Sequence, residues 1–201
     1  MRIGIDMLKR YGGGAPVRLL TAGLHGDEWR STSKRLEGLT TPAVGTLLVI
    51  PKVSGREYMS TLDKDYYTKY APVLLDAIRI NKPQIYLELH SYSSKNLSDL
   101  TDKNRLEQEG VPAYIEIESG ILMGSVSPHI RIDYFSPYDL CISFEMPKHP
   151  SEESLRVIDR LVGAVKECES RSYFVEYMKK HYPRQTSAAI KNYLRFYGHL
   201  Y

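Results

Sequence analysis

Short apolar runs alternate with segments of helical periodicity along this chain, and this alternation restricts the possible folds more than any other feature. Strands are predicted for residues 17–22, 44–53, 85–90, 114–118 and 141–146. Helical patterns lie between them, over residues 27–39, around Tyr66 to Ile78 with a break or a start at Pro72, and in a long segment after Ser151. The alternation predicts an α/β fold with a mixed, mostly parallel sheet and helices on both faces.

The C-terminal part of the sequence differs from the rest in charge and composition. Residues 171–201 contain six basic residues against Glu176 alone, and they hold six of the sixteen tyrosines. We therefore expect a domain over residues 1–170 and a basic, tyrosine-rich helical extension over residues 171–201 that packs on it. Basic residues interleaved with aromatics can also bind nucleic acid. A solvated helical hairpin is the favoured interpretation, which makes nucleic acid an unlikely partner.

The bulk properties exclude several classes of protein. No segment approaches the roughly 18 to 20 unbroken apolar residues that a membrane span needs, and the N-terminal residues lack the apolar core of a secretory signal. Cys141 and Cys168 are the two cysteines, a number that suits a reducing compartment better than a disulfide-stapled secreted fold. The expected location is the cytoplasm, without a membrane partner, and a homo-oligomer stays possible.

The segment Gly-Leu-His-Gly-Asp-Glu, which ends at Glu28, follows a predicted strand and opens a predicted helix. Its His25 and Glu28 are three residues apart, close enough to reach one ion, and imidazole with carboxylate suits zinc. The pair alone is a weak signal, because a surface loop can contain it by chance. His90 at the end of another apolar strand strengthens the prediction, because sites in open α/β sheets collect beyond the carboxyl ends of strands. The sequence thus predicts one zinc per chain, with Glu88 either orienting a ligand imidazole or facing outward.

A hydrolytic zinc site also needs a carboxylate that moves protons between water and the leaving group. Glu145 is the favoured candidate, because it ends the apolar run Cys-Ile-Ser-Phe-Glu and a site there would explain its charge. A carboxylate that caps or pairs just outside the core is the structural alternative. Glu116 and Glu118 compete for the role, but they alternate with isoleucines as in a half-exposed strand.

Together, three motifs in this order resemble the zinc carboxypeptidase superfamily. They are His-Gly-Asp-Glu after a strand, a later strand ending in Leu-His-Ser, and a last strand ending in Phe-Glu-Met-Pro. Within that superfamily the motifs resemble the branch of succinylglutamate desuccinylase and aspartoacylase. The segment Gly-Ile-Leu-Met-Gly-Ser-Val-Ser-Pro-His-Ile-Arg is similar to an uncharacterised archaeal domain family placed in the same superfamily.

The resemblance implies that Arg56, on the loop after the second strand, polarises the scissile carbonyl; a solvated loop arginine is the alternative. In the same branch an Asn-Arg pair seven residues later grips a substrate carboxylate. Here Asp63 and Lys64 occupy that place, and lysine cannot form the bidentate fork of a guanidinium. Arg131 is a candidate replacement anchor or a plain surface residue. Tyr134 could line the substrate pocket.

These residues predict a zinc-dependent hydrolase that cleaves an amide or ester bond of a small acyl-amino-acid or peptide-like substrate through metal-activated water. Zinc would be held by His25, Glu28 and His90, while Glu145 moves the proton. A relative that binds metal or ligand without turnover is the alternative. A nucleic-acid-binding module that uses the basic extension is a more distant one.

Overall fold

The computed structural model describes residues 8–54 and 58–198 of the 201-residue chain. Its strands are β1 (Lys9–Gly13), β2 (Val17–Ala22), β3 (Gly45–Ile50), β4 (Ile85–Tyr92), β5 (Ile115–Glu118), β6 (Ile121–Gly124) and β7 (Leu140–Pro147). Its α-helices are α1 (Trp29–Glu37), α2 (Tyr66–Lys69), α3 (Pro72–Asn81), α4 (Leu97–Thr101), α5 (Arg105–Glu109), α6 (Pro128–Tyr134), α7 (Glu152–Glu167), α8 (Arg171–His181) and α9 (Pro183–Tyr197).

The strands form one mixed sheet in the order β1-β3-β2-β4-β7-β6-β5. Its centre, β3-β2-β4-β7, is parallel, whereas β1 at one edge and the β6-β5 pair at the other are antiparallel to their neighbours. Because β2, β4 and β7 are adjacent and parallel, their carboxyl ends open on the same edge of the sheet. The α/β prediction is confirmed, and the three motif-bearing strands are neighbours.

Helices cover both faces of the sheet. On one face, Leu20, Leu87 and Phe144 pack in a buried cluster with side chains of α7 and α8. On the other face, Leu19 and Tyr86 pack with side chains of α3 and α6. Strands buried on both faces read as continuous apolar runs, which is why their sequences show little alternation.

Strands β1 and β6 and helix α6 are absent from the sequence prediction, although α6 begins with a Ser127 N-cap followed by Pro128, a pattern that can signal a helix start. The edge strand β1 is largely exposed and has the sequence Lys-Arg-Tyr-Gly-Gly, and β6 is only four residues long. Pro72 occupies the first turn of α3, where its missing amide hydrogen costs nothing. It therefore starts a helix and separates α2 from α3.

The C-terminal extension is helical, as predicted, and packs against the sheet. Phe174 and Met178 of α8 are buried in the same cluster as α7, and Gln185 of α9 donates a hydrogen bond to the Ile117 carbonyl at 3.1 Å. The proposed boundary between residues 170 and 171 stays a prediction. None of the described helices is both long and apolar enough to cross a bilayer.

Gly23 shapes the turn that leaves β2. Its φ of +60° lies in the left-handed region, which side-chain-bearing residues adopt at a cost. A Cβ at this position would lie 2.7 Å from the Cβ of Trp29 and 3.2 Å from the Cα of Lys52. Both backbone conformation and space therefore require glycine where the chain enters the segment that carries His25 and Glu28.

We expect Gly23→Ala to lower the free energy of unfolding by roughly 2–4 kcal/mol, because strain and overpacking add. Gly163→Ala is the matched control: Gly163 lies inside α7, and no heavy atom would contact its added Cβ. That change should stabilise the protein by up to about 1 kcal/mol through helix propensity. Urea denaturation measures both, and equal effects of the two substitutions would contradict the requirement at Gly23.

Candidate metal centre and adjoining cavity

The turn after β2 fixes the Glu28 carboxylate through backbone amides. Glu28 Oε1 accepts hydrogen bonds from the amides of Leu24 at 2.6 Å and His25 at 3.1 Å. Its other oxygen, Oε2, lies 3.6 Å from His25 Nδ1. Glu28 stands at the N-terminus of α1, where the helix dipole favours a negative charge. Oε1 thus holds the turn in place through the backbone amides, whereas Oε2 faces the His25 imidazole.

His90 joins this pair from the neighbouring strand β4. Its Nδ1 lies 3.3 Å from Glu28 Oε2, and its Nε2 lies 3.2 Å from Glu88 Oε2. Glu88 Oε1 accepts hydrogen bonds from the hydroxyls of Tyr67 at 2.9 Å and Tyr86 at 2.6 Å. Glu88 therefore faces inward, not outward. It holds the His90 ring with Nδ1 towards Glu28, the arrangement that metal-ligating histidines usually have.

The spacing of these atoms fits a tetrahedral ion. Two ligand atoms bound at about 2.0–2.1 Å to a tetrahedral centre lie roughly 3.3–3.4 Å apart. The observed 3.3 and 3.6 Å separations from Glu28 Oε2 to the two imidazoles are close to that value. One ligand atom from each of His25, Glu28 and His90 can be chosen so that all three lie within 4.8 Å of one another. Two imidazoles and one carboxylate form a donor set that suits zinc and leaves room for a further ligand.

Burial and the attraction between opposite charges shift the pKa values of His25, Glu28 and His90. Burial lowers the pKa of His25. For His90 burial acts in the same direction, but the negative charge of Glu28 and the hydrogen bonds to Glu28 and Glu88 raise its pKa well above the ordinary value. Burial opposes ionisation of Glu28, yet the two histidines outweigh it and its pKa falls. A metal must displace the proton on His90, so metal affinity will fall at low pH.

Glu145 lies directly beside His90, because the two residues are register partners in the β4–β7 ladder. It lines a cavity of about 120 Å³ together with His25, His90 and Glu88. Glu145 Oε2 is fully buried and has no hydrogen-bond partner among the described residues. Burial raises the pKa of this carboxyl to about 7. A carboxyl that exchanges protons near neutral pH is well suited to general acid–base work.

The competing carboxylates lie elsewhere. Glu116 is exposed on the edge strand β5 and accepts a hydrogen bond from the Gly120 amide at 3.2 Å. Glu118 pairs with Arg160 at 2.6 Å. Neither lines the cavity that holds the histidines. Of the three candidates, Glu145 is the one placed beside them.

The remaining predicted site residues are scattered. Arg56 lies outside the described residues. Asp63 and Lys64 are exposed, and although the preceding Ser60, Thr61 and Leu62 line the cavity, these two do not. Tyr134, the last residue of α6, accepts a hydrogen bond from Arg79 of α3 at 3.1 Å and is also absent from the cavity wall.

Arg131 differs from both interpretations of its sequence. It is 1% exposed, so it is no surface residue, and it does not line the cavity beside His90. Its guanidinium donates to the carbonyls of Phe135, Ser136 and Pro137 at 3.3, 2.8 and 3.3 Å. The loop that follows α6 has three consecutive carbonyls directed at this side chain, and that requirement explains its burial.

Sequence reasoning missed Arg105 and Tyr114, which both line the cavity. The Arg105 guanidinium lies 5.4 Å from the centre of the Tyr114 ring and donates to the Pro112 carbonyl at 3.1 Å. Tyr114 is hydrogen-bonded to Ser143 at 2.8 Å. Arg105 follows a polar stretch without periodicity, so no pattern connects it with His90.

The comparisons with known proteins place the chain in a family. The sequence profile of the family described as "Uncharacterized protein conserved in archaea (DUF2119)" matches residues 13–198. The chain belongs to this family. It is 32% identical over 186 residues to the uncharacterized protein MJ0501 of Methanocaldococcus jannaschii, an alignment that covers 89% of this chain and 90% of that protein. The predicted membership of an uncharacterised archaeal family is confirmed.

Among solved structures, the chain is similar to a metallo-carboxypeptidase from Pseudomonas aeruginosa in complex with (2-guanidinoethylmercapto)succinic acid. The TM-score is 0.38 at 11% sequence identity, and the match covers 87% of this chain. This chain spans 60% of that protein's length. The functional conclusion therefore depends on the side chains of the site.

The raised pKa of Glu145 predicts a pH-dependent stability change. Because the folded protein holds this proton up to about pH 7, above the ordinary carboxyl pKa of 4.5, stability falls as the pH rises between these values. In metal-free protein, Glu145→Gln should remove that loss and stabilise the fold at pH 8 by up to about 3 kcal/mol. At pH 4.5 the two proteins should be equal within error.

Urea denaturation at the two pH values measures this difference. Glu116→Gln, at an exposed carboxylate, is the control and should change stability by the same small amount at both. An unchanged pH dependence in Glu145→Gln would show that Glu145 is ionised freely in the folded protein.

Proposed function

We propose that this protein is a zinc-dependent hydrolase that cleaves an amide or ester bond of a small substrate. The observation that carries the proposal is the convergence of the donor atoms of His25, Glu28 and His90 next to a cavity that His25, His90 and Glu145 line. Glu145 Oε2 has no hydrogen-bond partner there among the described residues. The order of the sequence motifs, which resembles that of the zinc carboxypeptidase superfamily, supports the same conclusion.

The residues divide the work as follows. His25, Glu28 and His90 hold the zinc, and Glu88 keeps His90 in the tautomer that presents Nδ1. Zinc, when bound, supplies a positive charge that polarises a carbonyl oxygen and acidifies a water molecule. Glu145 accepts the proton from the attacking water and delivers it to the leaving group, which its position beside His90 and its pKa near neutrality allow.

The cavity also restricts the substrate. At about 120 Å³ it takes only the end of a molecule, such as an N-acyl amino acid or a peptide terminus. Arg105 is a described cation in its wall, and we propose it, instead of the exposed Lys64, as the group that attracts a substrate anion. Arg56 keeps the role that the resemblance implies, polarisation of the scissile carbonyl. The two unpaired cysteines suit the cytoplasm as the place of this activity.

The protein should bind about one zinc per chain, and His25→Ala or His90→Ala should each abolish tight binding, because three protein ligands are the minimum of a catalytic zinc site. Glu88→Gln should lower zinc affinity by about 10- to 100-fold through loss of the ligand orientation. Competition with a chromophoric chelator measures these affinities. His149→Ala, at an exposed histidine, is the control; zinc binding by the His25 and His90 variants equal to that of the parent would refute the ligand set.

Glu145→Gln should retain zinc while lowering turnover by roughly 10²- to 10⁴-fold, the loss expected for a general acid–base. A screen of N-acyl amino acids, their esters and short peptides identifies the substrate for this measurement. Glu118→Gln is the matched control and should keep full activity, since Glu118 pairs with Arg160 away from the cavity. Stoichiometric zinc without turnover on any of these substrates would favour a binding protein over an enzyme.

A further inference from the structure

A second cavity, of about 170 Å³, lies between the sheet and the two C-terminal helices. Strand β6 pairs with β7 only along Ser143–Glu145, so within the described residues the stretch from Leu140 to Ile142 has no strand beside it on that side. The cavity occupies this gap. Its wall is mainly apolar, and the side chains that matter most here are Met123, Ile142, Phe174, Met178 and Ala189.

The polar part of the wall carries two guanidinium groups. Arg131 and Arg171 both donate to the Pro137 carbonyl, at 3.3 and 2.6 Å, and both lie near the Tyr193 hydroxyl, at 3.4 and 3.3 Å. The Arg171 guanidinium also stacks 4.3 Å from the centre of the Tyr193 ring. Two cations that share the same acceptors repel each other, and carbonyl and hydroxyl groups do not cancel charge.

The two guanidinium groups differ in their relation to the neighbouring carboxylate, Asp139. Asp139 lines the same cavity and interacts electrostatically with Arg131. The hydrogen-bond partners of Arg171 are neutral groups, and no described carboxylate lies within ion-pair distance of it. Among the described residues, the positive charge of Arg171 therefore borders an apolar space without a carboxylate partner.

We propose that this cavity binds a small organic carboxylate with an apolar body the size of about one aromatic ring. Its volume is close to that of an apolar cavity of about 150 Å³ that accepts benzene. Native interiors leave few voids larger than a water molecule, so a space of this size is better explained by a ligand than by packing. The carboxylate would receive charge-assisted hydrogen bonds from Arg171, and the ring would lie against Met123, Phe174 and Met178. The site does not depend on zinc.

Methyl NMR of the 201-residue protein, with one equivalent of zinc added, tests this with benzoate as the probe. Met123 and Met178 report on the cavity, and Met146, which is buried in the core and does not line it, is the internal reference. We expect saturable shifts at Met123 and Met178 with a dissociation constant of about 1 mM or tighter. Benzamide, the neutral isostere, should bind at least about tenfold more weakly, since the charge-assisted contact is lost.

The zinc site is the obvious competing place for a carboxylate. The titration is therefore repeated with His90→Ala, and the Met123 and Met178 shifts should be unchanged there. Shifts that disappear in His90→Ala would overturn the proposal, as would equal binding of benzoate and benzamide or an absence of saturable shifts at the two methionines.

Two pairs of variants separate charge from shape. Arg171→Gln should weaken benzoate binding by about tenfold or more, whereas Lys180→Gln, at an exposed cation of the same helix, should leave it unchanged. Ala189→Leu fills part of the cavity and should weaken both probes, whereas Ala188→Leu, at a neighbouring residue outside the wall, should not. Parent-like binding by Ala189→Leu would overturn the assignment. The comparison of benzoate with benzamide on the unchanged protein decides the question even if Arg171→Gln fails to fold.

Discussion

Glu28 and His90 are both buried, and their side chains meet at 3.3 Å between the turn after β2 and strand β4. Each side chain favours the charged form of the other, since an isolated charge in this environment would be strongly disfavoured. Further hydrogen bonds continue from this contact. Glu28 accepts from the amides of Leu24 and His25, and His90 bonds to Glu88. The position of every proposed zinc ligand depends on this chain of contacts.

Such an arrangement is a poor way to stabilise a fold. Burying ionised groups costs several kcal/mol for each ion, and well-packed apolar side chains of similar volume often stabilise as much or more. Glu145 adds to this free-energy cost, because its buried Oε2 has no hydrogen-bond partner among the described residues. A cation bound by His25, Glu28 and His90 would offset both costs, since its charge attracts all of the carboxylates around it.

The sequence groups His25, Glu28 and His90 as candidate metal ligands, and the structure brings these side chains together because the strands that carry them are parallel neighbours. The run at 17–22 coincides with β2, and His90 lies near the carboxyl end of β4, so adjacency of the two strands brings the motifs together. The position of Glu145 opposite His90 could not be read from the sequence, because strand order and register come from tertiary packing. The same holds for Arg105, which reaches the cavity from a segment without periodicity.

For Arg131 the sequence predicted neither the burial of the side chain nor its contacts. An arginine after the motif Ser-Pro-His-Ile suggested either an anion anchor or a surface residue, because charged side chains are seldom buried without a partner. Here the partners are main-chain carbonyls of the loop after α6, and hydrogen bonds of this kind leave no trace in a sequence pattern. Local charge and hydrophobicity therefore predict where a strand or helix lies better than they predict what a buried cation contacts.

The tyrosine-rich extension is connected through hydrogen bonds to the cavity that Glu145 lines. The Tyr197 hydroxyl of α9 bonds to the Ser125 hydroxyl at 2.8 Å, and the Ser125 carbonyl accepts from Ser143 at 3.1 Å. Ser143 in turn bonds to the Tyr114 hydroxyl at 2.8 Å. Tyr114 and Ser125 both line the cavity beside Glu145. The basic, tyrosine-rich composition of this extension can also indicate nucleic-acid binding. Tyr197, however, has a buried ring, and its hydroxyl bonds to Ser125 in the cavity wall. Because Ser125 lines both cavities, the cavity under the C-terminal helices and the cavity beside Glu145 share one wall.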